Sequence, residues 1–407
     1  MSETTIDSIQ TYFSSILEVV EQRLTKLSLH NELSPSLVSS IQNEYKEIVL
    51  GNYTLTPDEL YYLDNYLDEW FSKRVTPIRK LQSRREQIHT NMIKLKQLQL
   101  PEQRSPEWYK IRENLLTASS LADALGKGHF QTRDGLLLSK TDDTKKEISK
   151  ASQDIMQWGV KYEPVATRYY EHLYGVSIVE FGLIPHPKLS VFGASPDGIC
   201  DIGSPNGYEG RMLEIKCPPK RKFTHEVPRH YWMQMQGQLE VCDLDECDFF
   251  QVKLEEYSDV TEYEADCLLR NGIQHGLTRK GYPKGLVIAY KEKGSIEYQY
   301  SPWLASLDTL LNWKRKVLAN LREDQLLHEI KWWYVERYEC TLVRRDTEWW
   351  NSVTPDIIQF WSDVVHYRKV GNEEVQKRIN SRKRGPRKQT FTVQAPIKGY
   401  LMDSDED

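Results

Sequence analysis

Several sequence patterns that assign a function directly are absent from this chain of 407 residues. It has no apolar run of about 18 residues and no basic start followed by an apolar stretch, so we expect an intracellular protein without a membrane span or a secretory signal. Its six cysteines include no CxxC pair, which argues against a zinc ribbon or an iron–sulfur cluster and favours buried, reduced thiols. Gly-rich phosphate loops and GxSxG motifs are also absent, which argues against an ATP-driven motor and a serine hydrolase.

Charge is nearly balanced over the whole chain, but it is unevenly distributed. The formal net charge is −5, so the composition alone does not indicate a nucleic-acid partner. The stretch 377–388, in contrast, holds seven Lys or Arg in twelve residues. This basic tail has three interpretations: a solvated flexible segment, a nuclear-import signal, or a non-specific DNA contact. If the protein is viral, the second interpretation would place it in the nucleus of the host cell as well as in the cytoplasm.

Local composition and hydrophobic pattern divide the chain into three parts. Residues 1–100 predict helices, as in TPDELYYLDNYLDEWF, where Thr56 is a candidate N-cap and Pro57 stands at the first helical position. Residues 101–340 alternate strand-like runs, Gly and Pro turns and short helices, which predicts an α/β domain. Residues 341–407 form a C-terminal extension that contains the basic tail.

The segment LEIKC supplies the first candidate site residues. Side chains alternate along a strand, so Glu214 and Lys216 share one face and Ile215 lies on the other. Asp197, in SPDG, precedes Glu214 by 17 residues, a separation suited to an antiparallel hairpin that sets the two carboxylates side by side. A divalent cation allows both carboxylates to be ionised, and their hard oxygens predict Mg²⁺, with Mn²⁺ able to substitute.

Each of these features has an ordinary interpretation when it stands alone. SPDG is a common turn in which the Asp bonds to nearby backbone. Glu163 stands on the predicted helix WGVKYEPVATRYYEHLYG, where a glutamate is usually solvated. The order of the acids and the lysine along a helix and a strand hairpin is what favours a single shared site.

The segments EWYKIRENLLTASS, WGVKYEPVA, SPDG, LEIKCP and YWMQMQGQ together resemble the lambda-exonuclease/YqaJ viral recombinase family of PD-(D/E)XK nucleases. The resemblance covers residues 105–255, and its motifs are specific as a set. It implies a restriction-endonuclease-like α/β core, with a mixed central β-sheet flanked by helices, in addition to the α-helical N-terminal extension. It also implies a metal-dependent phosphodiesterase that acts on double-stranded DNA.

The resemblance assigns roles at the metal site. Asp197, Glu214 and the backbone carbonyl of Ile215 would be metal ligands, and Glu163 would hold or orient a second metal. Lys216 would position or deprotonate the attacking water and offset charge on the scissile phosphate. Beside a metal, its pKa should be depressed.

Two further positions near this site follow from the resemblance. Gln236, with Gln234 as a second candidate, would orient Lys216 or the nucleophile. Many family members carry another acid upstream of the SPDG aspartate, where this chain has Pro187. Either that acid is dispensable or Glu180 or another residue replaces it.

The DNA contacts come from two other segments. RENLLTAS resembles the family's segment that grips a terminal 5′ phosphate, which points to Arg112, Thr117 and Ser119. Arg suits phosphate through its planar fork, although Ser119 alone would be an ordinary helix cap. The loop PPKRK holds three cations that would track the DNA backbone or be merely solvated: Lys220, Arg221 and Lys222.

Together these features predict a Mg²⁺-dependent 5′-to-3′ exonuclease that resects duplex DNA ends in recombination, repair or viral DNA processing. A structure-specific or restriction-type endonuclease and a non-catalytic DNA-binding scaffold remain alternatives. The resemblance also implies a homotrimer for members that process duplex DNA, and a single-strand annealing or replication protein as a partner.

Overall fold

The computed structural model confirms the predicted fold class, a mixed α/β sheet flanked by helices with an α-helical N-terminal part. It describes residues 17–18, 20–24, 35–52, 54–101, 103, 105–129, 131–142, 149–205, 207–220, 223–224, 226–269 and 272–383. Arg221 and Lys222, and residues 384–388 of the basic tail, lie outside the described residues.

The helices and strands are numbered here in chain order. The helices are α1 (Pro35–Asn52), α2 (Pro57–Gln97), α3 (Pro106–Glu113), α4 (Leu121–Ala124), α5 (Arg133–Thr141), α6 (Lys150–Tyr174), α7 (Arg229–Cys242), α8 (Val260–Ala265), α9 (Leu307–Ala319), α10 (Thr347–Val370) and α11 (Glu373–Lys383). The strands are β1 (Leu116–Thr117), β2 (Ile178–Val179), β3 (Ile184–Pro185), β4 (Phe192–Ala194), β5 (Gly198–Cys200), β6 (Met212–Lys216), β7 (Glu246–Glu256), β8 (Lys284–Glu292), β9 (Ser295–Tyr300) and β10 (Leu326–Arg344).

Seven strands form the central sheet, in the order β2-β5-β6-β7-β10-β8-β9. Strands β6 and β7 are parallel, because helix α7 carries the chain back between them, and the other neighbours are antiparallel. A small sheet, β1-β4-β3, lies apart from it. The predicted hairpin is present, since β5 and β6 pair with Gly198 opposite Leu213.

Alternating side chains of the central sheet pack into two separate hydrophobic cores, one on each face of the sheet. Met212 and Phe249 join the core that includes α7, whereas Leu213, Ile215 and Phe250 join the core that includes α6. Glu214 and Lys216 therefore point toward α7, and Ile215 points away from them, as the strand periodicity predicts. Helix α6 ends as the sequence indicates, at Gly175 in the left-handed conformation with φ of 64°.

The N-terminal helices are connected directly to the central α/β core. Helix α2 begins at Pro57, the position that the sequence predicts, and runs for 41 residues to Gln97. Leu63, Leu67 and neighbouring apolar residues pack with α1 in a separate core. Near its end, Met92 is fully buried in the main core, and Arg84 donates two hydrogen bonds to Asp245.

The predicted boundary at residue 340 does not separate two units in the structure. Strand β10 continues through it to Arg344, pairing with β7 on one side and β8 on the other. Beyond it, Phe360 of α10 and Val375 of α11 are fully buried in the main core. In the basic tail, Arg378 and Arg382 form ion pairs with Asp134 of α5. The segment up to Lys383 is therefore an integral part of the central domain.

Two expectations from composition can be compared with the structure. All six cysteines are free, and four of them are buried. In the part of the chain that the structure describes, none of the helices combines the length and the apolar character that a membrane crossing requires.

Close packing of α7 against β4 provides a test of the fold. A Cβ at Gly237 would lie 2.9 Å from the buried Phe192 ring and 3.3 Å from Ala118, whereas a Cβ at Gly159 in α6 meets nothing within 4 Å. Gly237→Ala should lower the free energy of unfolding by about 1–3 kcal/mol through overpacking. Gly159→Ala should leave it unchanged or raise it by up to about 1 kcal/mol, because alanine favours helices. Urea denaturation measures both, and equal effects would contradict this packing.

Candidate active site

Glu214 is the most deeply buried charged group of the candidate site, with 0% exposure. Its carboxylate contacts the ammonium group of Lys216, which also lies 4.0 Å from Asp197 Oδ2. Asp197 Oδ2 accepts a hydrogen bond of 2.7 Å from the backbone N–H of Ile215. The β5–β6 pairing thus brings both acids and the lysine together, as predicted.

Two glutamines of α7 hold the Glu214 carboxylate from the opposite side. Gln234 Nε2 donates to Glu214 Oε1 and Gln238 Nε2 donates to Glu214 Oε2, each at 2.7 Å. Gln238 is 1% exposed. These bonds offset the cost of burying an acid in the domain core.

The contact predicted for Gln236 is wrong, and this position needs correction. Its amide donates to the carbonyl of Arg344 at 2.9 Å and accepts from the N–H of Asp346 at 2.6 Å. Because two residues of a helix span about 200°, Gln236 faces away from the side of α7 that carries Gln234 and Gln238. It fastens α7 to the start of α10 instead of orienting Lys216.

Burial and neighbouring charges affect the ionisation of Asp197 and Lys216. Burial raises the pKa of Asp197 well above its usual value, and the nearby charges of Glu214 and Glu163 raise it further, against the opposing effect of Lys216. For Lys216, burial opposes the charged form, but the carboxylates of Glu214 and Asp197 outweigh it and raise its pKa. The depressed pKa predicted for Lys216 applies beside a bound metal and stays a prediction.

Glu163 lies on α6 at the edge of this cluster. It is half-buried and lines a cleft of about 480 Å³ together with Glu180, Lys96 and Gln103. Gln103 donates to the carbonyl of Phe181 at 2.8 Å. Glu180, one of the residues considered as a replacement for the acid missing at Pro187, thus shares a cleft with Glu163.

The donor set of this site is compatible with a hard divalent cation. Asp197 and Glu214 offer carboxylate oxygens that the pairing of β5 with β6 brings close together. Among the described residues, no group of three His, Cys, Asp or Glu side chains converges as metal ligands. One or two carboxylates, completed by water and substrate phosphate, are the usual protein contribution to a Mg²⁺ site.

The residues predicted to bind a 5′ phosphate form a second cluster. Arg112 Nη2 lies 3.3 Å from Ser119 Oγ, which lies 3.1 Å from Thr117 Oγ1. Ser119 is exposed, whereas Thr117 is buried. A planar guanidinium beside two hydroxyl groups is an arrangement that can grip a phosphate.

Trp108 connects this cluster to the acids. The guanidinium carbon of Arg112 lies 4.2 Å from the centre of the Trp108 ring, and Trp108 Nε1 donates to Ser195 Oγ at 3.2 Å. Ser195 begins the SPDG turn, two residues before Asp197. Trp108 therefore touches both the cluster around Arg112 and the turn that carries Asp197.

Of the predicted DNA-backbone loop, the structure describes Lys220, which is exposed four residues beyond Lys216. Just after the loop, Phe223 is buried beneath the guanidinium group of Arg337, at 4.5 Å. This contact fixes the end of the loop on β10.

Sequence reasoning missed three residues around these clusters. Gln238 could have been found, because it stands four positions after Gln234 and so shares its helix face. Lys140 Nζ donates to the carbonyls of Arg112 and Leu115, and Arg368 Nη2 donates to the carbonyl of Glu113. No local pattern signals these last two residues.

An acid pair and a lysine on a hairpin of a mixed sheet, with a third acid on the flanking helix, define the PD-(D/E)XK class of nuclease domains. Residues 107–245 match the family model of the YqaJ-like viral recombinase domain. The family is one of divalent-metal-dependent nucleases.

Two viral proteins are similar to the chain. An uncharacterised protein of Acanthamoeba polyphaga mimivirus is 28% identical over 311 residues, which covers 69% of this chain and 56% of the relative. A protein of African swine fever virus is 28% identical over 161 residues, which covers 34% of this chain and 46% of the relative. The chain spans about half the length of these curated relatives.

Solved structures with some likeness include two exonucleases. An alkaline exonuclease from Laribacter hongkongensis has a TM-score of 0.38 and 20% identity, covering 68% of this chain and 99% of that chain. A phage-related exonuclease from Haemophilus somnus has a TM-score of 0.33 and 11% identity, covering 65% of this chain and 96% of that chain.

The two hydrogen bonds of Gln236 to the segment before α10 predict a structural role for this residue. Gln236→Leu should lower the free energy of unfolding by about 2 kcal/mol, because it leaves the carbonyl of Arg344 and the N–H of Asp346 without their partner. Gln234→Leu removes one bond at a partly exposed position and should cost about 1 kcal/mol or less. Chemical denaturation compares them, and a larger loss in Gln234→Leu would contradict this assignment.

Proposed function

We propose that the chain is a Mg²⁺-dependent deoxyribonuclease that resects duplex DNA from 5′-phosphorylated ends, in the 5′-to-3′ direction. The observation that carries the proposal is the position of Trp108, which touches both the Arg112 cluster and the turn before Asp197. An anion site this close to an acid–lysine site fits an enzyme that grips a terminal phosphate and hydrolyses a neighbouring phosphodiester.

Asp197, Glu214 and the carbonyl of Ile215 would hold the metal, and Glu163 would hold or orient a second one. Bound there, Mg²⁺ supplies Lewis-acid stabilisation of charge on the scissile phosphate. Gln234 and Gln238 keep the Glu214 carboxylate fixed from the α7 side. Lys216, in contact with Glu214, offers an amine that can offset phosphate charge or position the attacking water.

Arg112, Thr117 and Ser119 would bind the 5′ phosphate, and exposed Lys220, with Arg221 and Lys222, would contact the DNA backbone. The match to a viral recombinase domain supports a role in recombination, repair or processing of viral DNA inside a host cell. A single-strand annealing or replication protein and assembly as a homotrimer belong to the same proposal.

Substitution of the site residues tests catalysis. Lys216→Ala and Asp197→Asn should each reduce Mg²⁺-dependent degradation of linear duplex DNA by about a thousandfold or more, because each removes a group proposed to act on the reacting phosphate. Gln236→Leu, measured at a temperature where it is folded, should retain activity within about tenfold. Near-normal rates in Lys216→Ala would remove the site assignment.

Thermal unfolding tests the metal site independently of catalysis. Mg²⁺ should raise the Tm of the wild-type protein, because a cation that binds only the folded state stabilises it, by about 2.7 kcal/mol at a hundredfold excess over Kd. Asp197→Asn should lose most of this increase. An equal Mg²⁺ response in both proteins would contradict metal binding at Asp197.

The form of the DNA separates the remaining alternatives. Linear duplexes with a 5′ phosphate should be degraded faster than those with a 5′ hydroxyl, and closed circles should survive. Equal cutting of circles would favour an endonuclease. DNA binding without Mg²⁺-dependent cleavage would favour a scaffold.

A further inference from the structure

The cationic cluster around Arg112 is larger than the sequence indicates, and part of it comes from α10. Arg368 uses all three guanidinium nitrogens to join α10 to the ends of α5 and α3. It donates to the carbonyl of Lys140 at 2.9 Å, to the carbonyl of Glu113 at 2.7 Å and to Asn114 Oδ1 at 3.1 Å. These carbonyls end α5 and α3, so one side chain caps two helix C-termini, where cations are favoured.

Lys140 completes this arrangement from α5. Its ammonium group donates to the carbonyl of Arg112 at 2.5 Å and to the carbonyl of Leu115 at 2.9 Å. Lys140 and Arg368 thus both bind backbone carbonyls at the last turn of α3. The Arg112 side chain extends from this turn to Ser119. The orientation of Arg112 depends on that turn.

The cluster carries an excess of positive charge. Burial, together with the charges of Arg112 and Arg368, lowers the pKa of Lys140 to about 8, against a smaller opposing effect of Glu113. Three neighbouring cations that repel one another are stabilised by an anion. Terminal phosphate, with up to two negative charges, is such an anion.

We propose that Arg368 and Lys140 are positioning residues for the 5′-phosphate site, which fix the last turn of α3 so that Arg112 faces the terminal phosphate. This inference rests on the proposed function and extends it, because Arg368 lies well beyond residues 107–245 of the recombinase domain. The C-terminal helix α10 is then a component of DNA-end recognition.

The test compares two duplexes of one sequence, with a 5′ phosphate or a 5′ hydroxyl. Fluorescence anisotropy in EDTA gives the ratio of their Kd values without any cleavage, and kcat/KM in Mg²⁺ gives the ratio of their rates. Arg368→Ala should reduce both ratios by about tenfold, the effect of losing charge-assisted hydrogen bonds. Lys369→Ala, which removes the neighbouring exposed cation of α10, is the matched control and should preserve them.

Arg368→Lys separates positioning from charge. Lysine keeps the positive charge but cannot bridge three acceptors in one plane, so this variant should also lose the preference for phosphate. A wild-type ratio in Arg368→Lys, or in Arg368→Ala, would overturn the inference while leaving the exonuclease proposal intact. A wild-type protein that binds both ends equally would overturn the proposed end recognition together with this inference.

Measuring the Kd ratio as a function of pH tests the role of Lys140 independently. Lys140 loses its proton as the pH rises through about 8, so the wild-type Kd ratio should fall over that range. Lys140→Arg keeps its charge and should hold the ratio constant. A wild-type ratio that does not change with pH, or an unchanged fall in Lys140→Arg, would exclude Lys140 from this role.

Discussion

A carboxylate with no solvent exposure lies at the centre of this protein, and much of the surrounding architecture compensates for it. Glu214 is buried between β6 and α7, where a charge is costly unless every oxygen has a partner. Lys216 and Gln234 contact one oxygen, and Gln238 contacts the other. These contacts require α7 to lie directly over β6, and Gly237 permits α7 to approach Phe192 of β4 on its other side.

The parts of this site that are close in sequence follow from local rules. Strand alternation places Glu214 and Lys216 on one face, and the antiparallel pairing of β5 with β6 sets Asp197 beside them. Helix periodicity would also have selected Gln234 and Gln238, which are four residues apart, instead of Gln236. A family motif identifies glutamines on the helix but does not indicate which helix face each one occupies.

Other parts of the structure could not be predicted, because they join segments that are distant in the chain. Arg368 is 228 residues from Lys140 and 255 from Glu113, and no periodicity connects such positions. The boundary at residue 340 fails for the same reason. Propensity indicates that β10 is a strand, but only the fold reveals that it lies between β7 and β8 and leads into helices of the main core.

Helix α2 has a mechanical consequence for anything that associates with the N-terminal part of the chain. At 1.5 Å per residue its 41 residues extend about 60 Å, from the packing with α1 to the cleft lined by Glu163. A continuous helix holds its two ends at a set spacing and relative rotation. A partner bound to the far end would therefore be held at a fixed distance and orientation relative to the cleft lined by Glu163.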